Sequence, residues 1–134
     1  MDLLVNIDVP DLAAGIAFYT RAFGLTVTRQ FGAGAAELGG FPVRLYLLQK
    51  PAESVGAGDD RRRYERHWTP VHFDVIVADI EQALVRAAGA GAFVESEVRV
   101  EAWGKIAVLV DPFGHGFCLI QFIGRGYDEI AMSV

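Results

Sequence analysis

The stretch Val5-Asn6-Ile7-Asp8-Val9-Pro10-Asp11-Leu12 decides the fold, because the chain repeats its pattern 68 residues later as Phe73-Asp74-Val75-Ile76-Val77-Ala78-Asp79-Ile80. In both copies apolar residues recur at every second position, as in a strand with one face on a core. An aspartate then caps an amphipathic helix, and the two predicted helices end at Gly24 and Gly89. The sequence therefore predicts a duplicated scaffold. Positions that differ between the copies are candidates for specialised roles.

Short strands are predicted on both sides of the joint between the copies. In the first half they cover 26–31, 35–38 and 43–49, and in the second half 93–100, 105–110 and 116–122. Each half is therefore a βαβββ unit, and we predict one α+β domain over residues 1–134. Its parts are a first unit at 3–50, a joint at 51–70, a second unit at 71–122 and a tail at 123–134. Residues 51–60 are rich in Ala, Gly, Ser and Asp, which is typical of a linker or mobile loop.

Composition excludes several classes of protein. The formal net charge of -5 argues against nucleic acid, since phosphate binding draws on clustered Lys and Arg. The single cysteine, Cys118, rules out an internal disulfide and fits a reducing compartment. There is no charged-then-apolar leader and no run of about 18 apolar residues. We therefore expect a soluble, cytoplasmic protein without a membrane partner.

The order of these elements resembles that of a known superfamily. Two tandem βαβββ units, the Phe18-Tyr19 pattern ending in Phe23-Gly24-Leu25, and the turn Asp111-Pro112-Phe113-Gly114 are similar to the vicinal-oxygen-chelate superfamily. That group includes glyoxalases, extradiol dioxygenases, fosfomycin-resistance enzymes and bleomycin-resistance proteins. The resemblance covers about residues 3–122. It implies a glyoxalase-like fold, in which the units form an incomplete barrel with a cleft, and it implies a homodimer.

The resemblance also implies where a metal would bind, on the first and last strands of each half. Carried onto this sequence, the four positions are Leu4, Tyr46, His72 and Cys118, and only His72 matches the family pattern. Cys118 stands where metal-dependent members usually carry a glutamate. A catalytic divalent ion generally needs about three protein ligands, whereas leucine offers none and tyrosine must first lose a proton. We therefore expect no cofactor, with a divalent metal on His72, Cys118 and Tyr46 as the alternative.

Strand alternation also indicates which side chains a ligand would contact. His72 and Asp74 lie opposite the apolar face of their strand, so we expect them to face the cleft. The other predicted ligand-binding residues are mostly apolar or aromatic: Tyr46, Leu48, Cys118, Ile120, Phe122, Trp68 and Trp103. Plainer roles remain open for them, because a free cysteine often packs as a small hydrophobe and tryptophan usually serves packing. No catalytic residue is identified.

Three functions follow from this sequence. The first is a glyoxalase- and bleomycin-resistance-like protein that binds a small apolar or aromatic molecule in its cleft without a catalytic metal. The second is a glyoxalase-like lyase, isomerase or dioxygenase that uses a metal partly held by His72. The third is an interaction module whose cleft is a relic.

Overall fold

A computed structural model describes residues 1–133 and divides into two compact units, one covering Met1–Glu65 and one that begins at Arg66. Within the described residues, no helix is both long and apolar enough to cross a membrane. The units agree with the predicted duplication. The boundaries of a single domain with a joint at 51–70 stay a prediction.

The first unit has the predicted βαβββ order. Its elements are β1 (Leu4–Val9), α1 (Leu12–Phe23), β2 (Thr26–Phe31), β3 (Ala35–Gly39) and β4 (Arg44–Gln49). They form a four-stranded sheet in the order β1-β4-β3-β2, in which β1 runs parallel to β4 and the other pairs are antiparallel. The sheet is open. Helix α1 covers one of its faces, and the other face carries no helix of this unit.

The ends and the packing of α1 follow from single residues. The Asp11 carboxylate accepts a hydrogen bond from the Ala14 N–H at 2.9 Å, and Gly24 ends the helix in the left-handed conformation at φ 69°. A Cβ on Gly15 would come within 3.1 Å of Val9 and 3.3 Å of Leu47. Glycine at this position therefore lets α1 lie close against β1 and β4, over a core in which Val9 and Leu47 are fully buried.

The joint is more ordered than the sequence predicts. Strands β5 (Val55–Ala57) and β6 (Asp60–Arg61) form a small hairpin within the segment expected to be a linker or mobile loop. Just after it, the Arg62 Nε atom lies 2.6 Å from the Asp8 carboxylate of β1, and the Tyr64 hydroxyl donates to the Lys50 carbonyl at 2.6 Å. These contacts tie the segment to the first sheet. The segment is therefore ordered where a mobile loop was expected, and its role as the joint between the halves stays a prediction.

The second unit repeats the order with one strand divided. Its elements are β7 (Phe73–Ile76), α2 (Ile80–Ala90), β8 (Phe93–Val94), β9 (Arg99–Glu101), β10 (Gly104–Val110) and β11 (Gly116–Phe122). The order is β7-β11-β10-β8, with β9 also paired to β10. The predicted strand at 93–100 is divided because Glu95 and Ser96 both donate backbone N–H groups to the Val108 carbonyl, while the Ser96 hydroxyl accepts from the Val108 N–H.

The second helix ends later than predicted. Asp79 caps its start by accepting from the Gln82 N–H at 3.0 Å, but the helix continues through Gly89 and ends at Gly91, whose φ is 119°. The Gly91 N–H donates to the carbonyls of Ala87 and Ala88. The predicted stop at Gly89 is wrong, because a helix ends where a glycine takes up positive φ and not where a glycine first occurs.

A matched pair of glutamines marks the helix side of each sheet. The Gln49 side-chain carbonyl accepts from the Leu12 N–H at 2.8 Å, and the Gln121 side-chain carbonyl accepts from the Ile80 N–H at 2.9 Å. Each bond satisfies a backbone donor in the first turn of a helix. Residues two apart on a strand share a face, so the odd-numbered residues of β1, β4, β7 and β11 lie on the helix side with Gln49 and Gln121. The even-numbered residues of these strands lie on the opposite face of each sheet, which is here called the helix-free face.

The tail packs back on its own unit. A 3₁₀ helix at Gly126–Glu129 places the Tyr127 ring 4.7 Å from Phe122 and 5.1 Å from Trp103, measured between ring centroids. Trp103 and Phe122 are therefore parts of an aromatic cluster with Tyr127. Trp103 therefore packs against its own unit, and its contact with a ligand stays a prediction.

Candidate functional site

Three of the predicted site residues meet on the helix-free face of the second unit. Strands β7 and β11 run parallel with Asp74 directly beside Cys118, and His72 precedes Asp74 by two positions. The His72 Nε2 atom lies 3.5 Å from the Asp74 Oδ1 atom. The imidazole, carboxylate and thiol donor atoms of these three residues all lie within 4.8 Å of one another. We call them the His72-Asp74-Cys118 cluster.

The cluster combines a buried thiol with two accessible polar groups. Cys118 is only 9% exposed, whereas the side chains of His72 and Asp74 are 49% and 38% exposed. Burial raises the pKa of the Cys118 thiol to about 11, and the charge of Asp74 and its hydrogen bond with the thiol act in the same direction. The thiol is therefore protonated at neutral pH in the absence of a metal. Such a thiol is a poor nucleophile.

Two arginines that sequence reasoning missed border the cluster. The positive charges of Arg99 and Arg66 lower the pKa of Cys118, but not enough to offset burial and Asp74. The Arg66 guanidinium occupies the space above Gly116, where a Cβ would lie 2.7 Å from its central carbon. No local sequence pattern reveals this arrangement, because Arg66 lies before the first strand of its unit.

The equivalent positions in the first unit hold different chemistry. Asn6 pairs with Tyr46 between β1 and β4 as Asp74 pairs with Cys118. Leu4, which matches His72, has no donor atom. The Tyr46 hydroxyl donates to the Glu37 carboxylate and accepts from Arg29 at 3.3 Å. At Leu4, Asn6 and Tyr46 the first unit thus has neither an imidazole nor a thiol that could bind a metal.

Glu37 is the centre of a hydrogen-bond network that sequence reasoning missed. Besides Tyr46, it accepts from the Thr28 hydroxyl at 2.7 Å and from two nitrogens of Arg29, the shorter contact being 2.5 Å. Although Glu37 is only 6% exposed, its bonds with Arg29, then Tyr46 and Thr28, lower its pKa to about 2. The strand register Arg29-Glu37-Tyr46 creates this network, and a bulge between Val27 and Arg29 hides the register from sequence alternation.

The metal positions that the resemblance implies do not fit a catalytic ion of the family type. Leu4 supplies no ligand atom, and the Tyr46 hydroxyl is already committed to Glu37. Only His72 and Cys118 remain of the four, and a sulfur ligand suits zinc better than magnesium or manganese. The hydrogen bond to Glu37 competes with metal binding by Tyr46, whose assignment as a metal ligand stays a prediction.

Several of the apolar residues that were predicted to bind a ligand are largely buried. Ile120 is 1% exposed, so it packs in the core, while Leu48 and Phe122 are half-buried. Trp68, in contrast, is 77% exposed. Beside Ile120 on the helix-free face lies Ile76, which is 64% exposed and was not predicted as a site residue.

Known proteins resemble this chain over nearly its whole length. Residues 4–120 match the family model described as a glyoxalase-like domain. An uncharacterized protein of Mycobacterium bovis is 31% identical over 94% of this chain and 87% of that protein.

Solved structures resemble the fold at low sequence identity. The genomically encoded fosfomycin resistance protein of Listeria monocytogenes superposes with a TM-score of 0.71 at 16% identity, over 96% of each chain. A glyoxalase/bleomycin resistance protein/dioxygenase from Nocardioides gives 0.67 at 19% identity, over 100% of this chain and 91% of that one. At such identities the likeness speaks for the fold alone.

Proposed function

The chain belongs to the glyoxalase-like family of the vicinal-oxygen-chelate superfamily, and from this premise we propose that it binds a small apolar or aromatic molecule on the helix-free face of its second unit. One observation carries the proposal: the exposed polar groups of His72 and Asp74 lie on the strand face that also carries the accessible apolar side chain of Ile76, two positions after Asp74. Binding of this kind needs no catalytic metal. Leu4 has no ligand atom and the Tyr46 hydroxyl is bound to Glu37, and both facts support that part of the proposal.

The chemistry of these side chains narrows the ligand class. Asp74 is a carboxylate that accepts hydrogen bonds, so the ligand carries at least one N–H or O–H group. His72 offers a flat ring for stacking as well as ring nitrogens for hydrogen bonding. Ile76 favours an apolar or aromatic surface. The buried residues Cys118 and Ile120 pair with Asp74 and Ile76 on the neighbouring strand, and Trp68 is an accessible fluorescent reporter.

Fluorescence titration tests the proposal. Aromatic and glycopeptide-like antibiotics would be added to the full chain in a chelating buffer while tryptophan emission is followed. For a ligand that saturates, Asp74→Asn should weaken binding about 3- to 10-fold, the effect of losing one hydrogen bond. Asn6→Ala changes the equivalent position of the first unit and should leave the affinity unchanged. A panel without any saturable response contradicts the proposal, as does an equal loss in both variants.

A metal-dependent lyase, isomerase or dioxygenase is the second candidate. The closeness of the three donor atoms in the His72-Asp74-Cys118 cluster favours it. Glyoxalase-type and dioxygenase-type substrates would be assayed with chelated protein and again after addition of single divalent ions. Activity that requires an ion and disappears in His72→Ala supports this function, and inactivity with every ion removes it.

We also propose that the protein is a homodimer, as the resemblance implies, and that it is cytoplasmic, in keeping with its single free cysteine. Sedimentation velocity of the full chain tests the assembly. A mass of one chain at all concentrations contradicts it.

A further inference from the structure

We propose that Arg99 selects ligands that carry a carboxylate, which its guanidinium binds at one end of the helix-free face of the second unit. The inference rests on the proposed function and narrows it, because the small apolar or aromatic ligand is then an organic acid. Arg99 is a specificity-determining residue in this account, and Asp74 accepts from the N–H or O–H group of the same ligand.

The strand register places Arg99 in line with the apolar part of this face. Ile76 pairs with Ile120, which pairs with Ile106. Ile106 in turn pairs with Arg99 on β9. Directly paired residues lie on the same face of a sheet, so these side chains form one row across four strands. We call the three isoleucines the isoleucine row, and Arg99 lies at its end.

The isoleucine row offers apolar surface beside a cation. Ile76 is 64% exposed and Ile106 is half-buried, whereas Ile120 packs in the core between them. Neighbouring strands are about 4.8 Å apart, so the three spacings from Ile76 to Arg99 cover about 14 Å. An ion pair at Arg99 takes up part of this distance. The rest suits a ligand with one or two aromatic rings.

The Arg99 guanidinium has unused hydrogen-bond donors. The Glu101 carboxylate lies 3.9 Å away, beyond hydrogen-bonding distance, and the guanidinium makes no hydrogen bond to another described residue. Arg66, in contrast, donates from all three of its side-chain nitrogens, to Glu95 and to the His67 carbonyl. A planar guanidinium with free donors can bind a carboxylate through two parallel N–H···O bonds.

The charges on this face favour one orientation of the ligand. The positive charge of Arg99 acts on Cys118, whose pKa it lowers against the larger effects of burial and Asp74. Asp74 lies on β7, which β11 and β10 separate from β9, so it repels a carboxylate at Arg99 only weakly. Glu101 competes for Arg99, but an exposed pair at 3.9 Å contributes little. A ligand carboxylate can therefore replace it.

Calorimetric titration with a matched pair of probes tests the inference. The acid 6-hydroxy-2-naphthoate has a rigid aromatic body between an O–H group and a carboxylate, and 6-hydroxy-2-naphthamide is its uncharged counterpart. Each would be added to the full chain in a chelating buffer. We expect the acid to bind about 5- to 10-fold more tightly, an effect between those of an exposed ion pair and a charged hydrogen bond. High salt should reduce this preference, because it screens exposed charges.

Three variants identify the group that causes the preference. Arg99→Gln should reduce the affinity for the acid to that for the amide, and Glu101→Gln should increase the affinity for the acid. Arg125→Gln is the matched control and should keep the preference, because Arg125 is 70% exposed and paired with a glutamate but lies in the tail. The Arg99 side chain is itself 64% exposed, so its replacement leaves the core intact. Circular dichroism checks each fold.

The outcomes separate this inference from the proposed function. Equal affinities for acid and amide in the unsubstituted chain overturn the inference, and so does a preference that survives in Arg99→Gln or disappears in Arg125→Gln. Every aromatic acid that saturates would be compared with its own amide in the same way, and saturation by neutral aromatic molecules alone also overturns the inference. The proposed function stands in all these cases. Lack of saturable binding by any probe contradicts both.

Discussion

Two glycines at the end of α2 allow a sharp test of where that helix stops. Gly89 lies within the helix, and a Cβ built there meets nothing within 4 Å. Gly91 ends the helix at φ 119°, and a Cβ there would lie 3.2 Å from the Pro112 ring. The substitutions Gly89→Ala and Gly91→Ala add the same methyl group two residues apart. They should change stability in opposite directions.

The expected magnitudes follow from the backbone conformation. Alanine inside a helix is about 0.5–1 kcal/mol more favourable than glycine. Alanine in the left-handed region costs about 1–2 kcal/mol, and the contact with Pro112 adds to this cost. The free energies of unfolding of the two variants should therefore differ by about 1.5–3 kcal/mol, with Gly89→Ala the more stable.

Urea denaturation followed by circular dichroism measures this difference through the midpoints, provided the slopes stay equal. The unsubstituted chain should fall between the two variants. If Gly89→Ala is destabilised while Gly91→Ala is neutral, the helix ends at Gly89. That result would refute the assignment of the helix end.

Three further predictions concern single contacts. The pKa of Glu37 is lowered from its usual 4.5 to about 2, so its contribution to stability is complete above pH 4.5 and is lost as pH falls toward 2. The thermal midpoint of Glu37→Gln should therefore depend less on pH in this interval than that of the unsubstituted chain, and an equal pH dependence of the two proteins would contradict the network. In chelated protein the pKa of the Cys118 thiol is about 11 instead of 9.0, so the thiol should react with a disulfide reagent at pH 8 about 10-fold more slowly than a free cysteine, because the loss of thiolate outweighs its higher nucleophilicity. Asp74→Asn should speed the reaction, and equal rates in the folded and unfolded chain would exclude this environment. Gln121→Ala leaves the first N–H of α2 without its partner, so urea unfolding should show a loss of about 0.5–1.5 kcal/mol, and no change would mean that water replaces the bond fully.

Most of the fold could be predicted because its signals are local. Short strand-like segments gave β2 at 26–31 and β11 at 116–122 with the bounds that the structure shows, and Asp11 with Gly24 gave the first helix. The failures also have physical causes. Gly89 and Gly91 look alike in the sequence, and only the backbone of the folded chain decides which one adopts positive φ.

The candidate site was only partly predictable, because its contacts depend on strand register. Alternation correctly placed His72 and Asp74 on one face, but the pairing of Asp74 with Cys118 joins residues that are 44 positions apart. The network around Glu37 likewise depends on three strands and a bulge. Local patterns indicate faces of strands, whereas long-range pairing decides which side chains meet.

The central claim is that the second unit carries the functional chemistry while the first unit repeats only its scaffold. Fluorescence titration in a chelating buffer with a ligand that saturates, compared between Asp74→Asn in the second unit and Asn6→Ala in the first, tests this claim most directly. We predict that Asp74→Asn weakens binding about 3- to 10-fold, whereas Asn6→Ala leaves the affinity unchanged. An unchanged affinity in Asp74→Asn, or an equal loss in both variants, would contradict the claim.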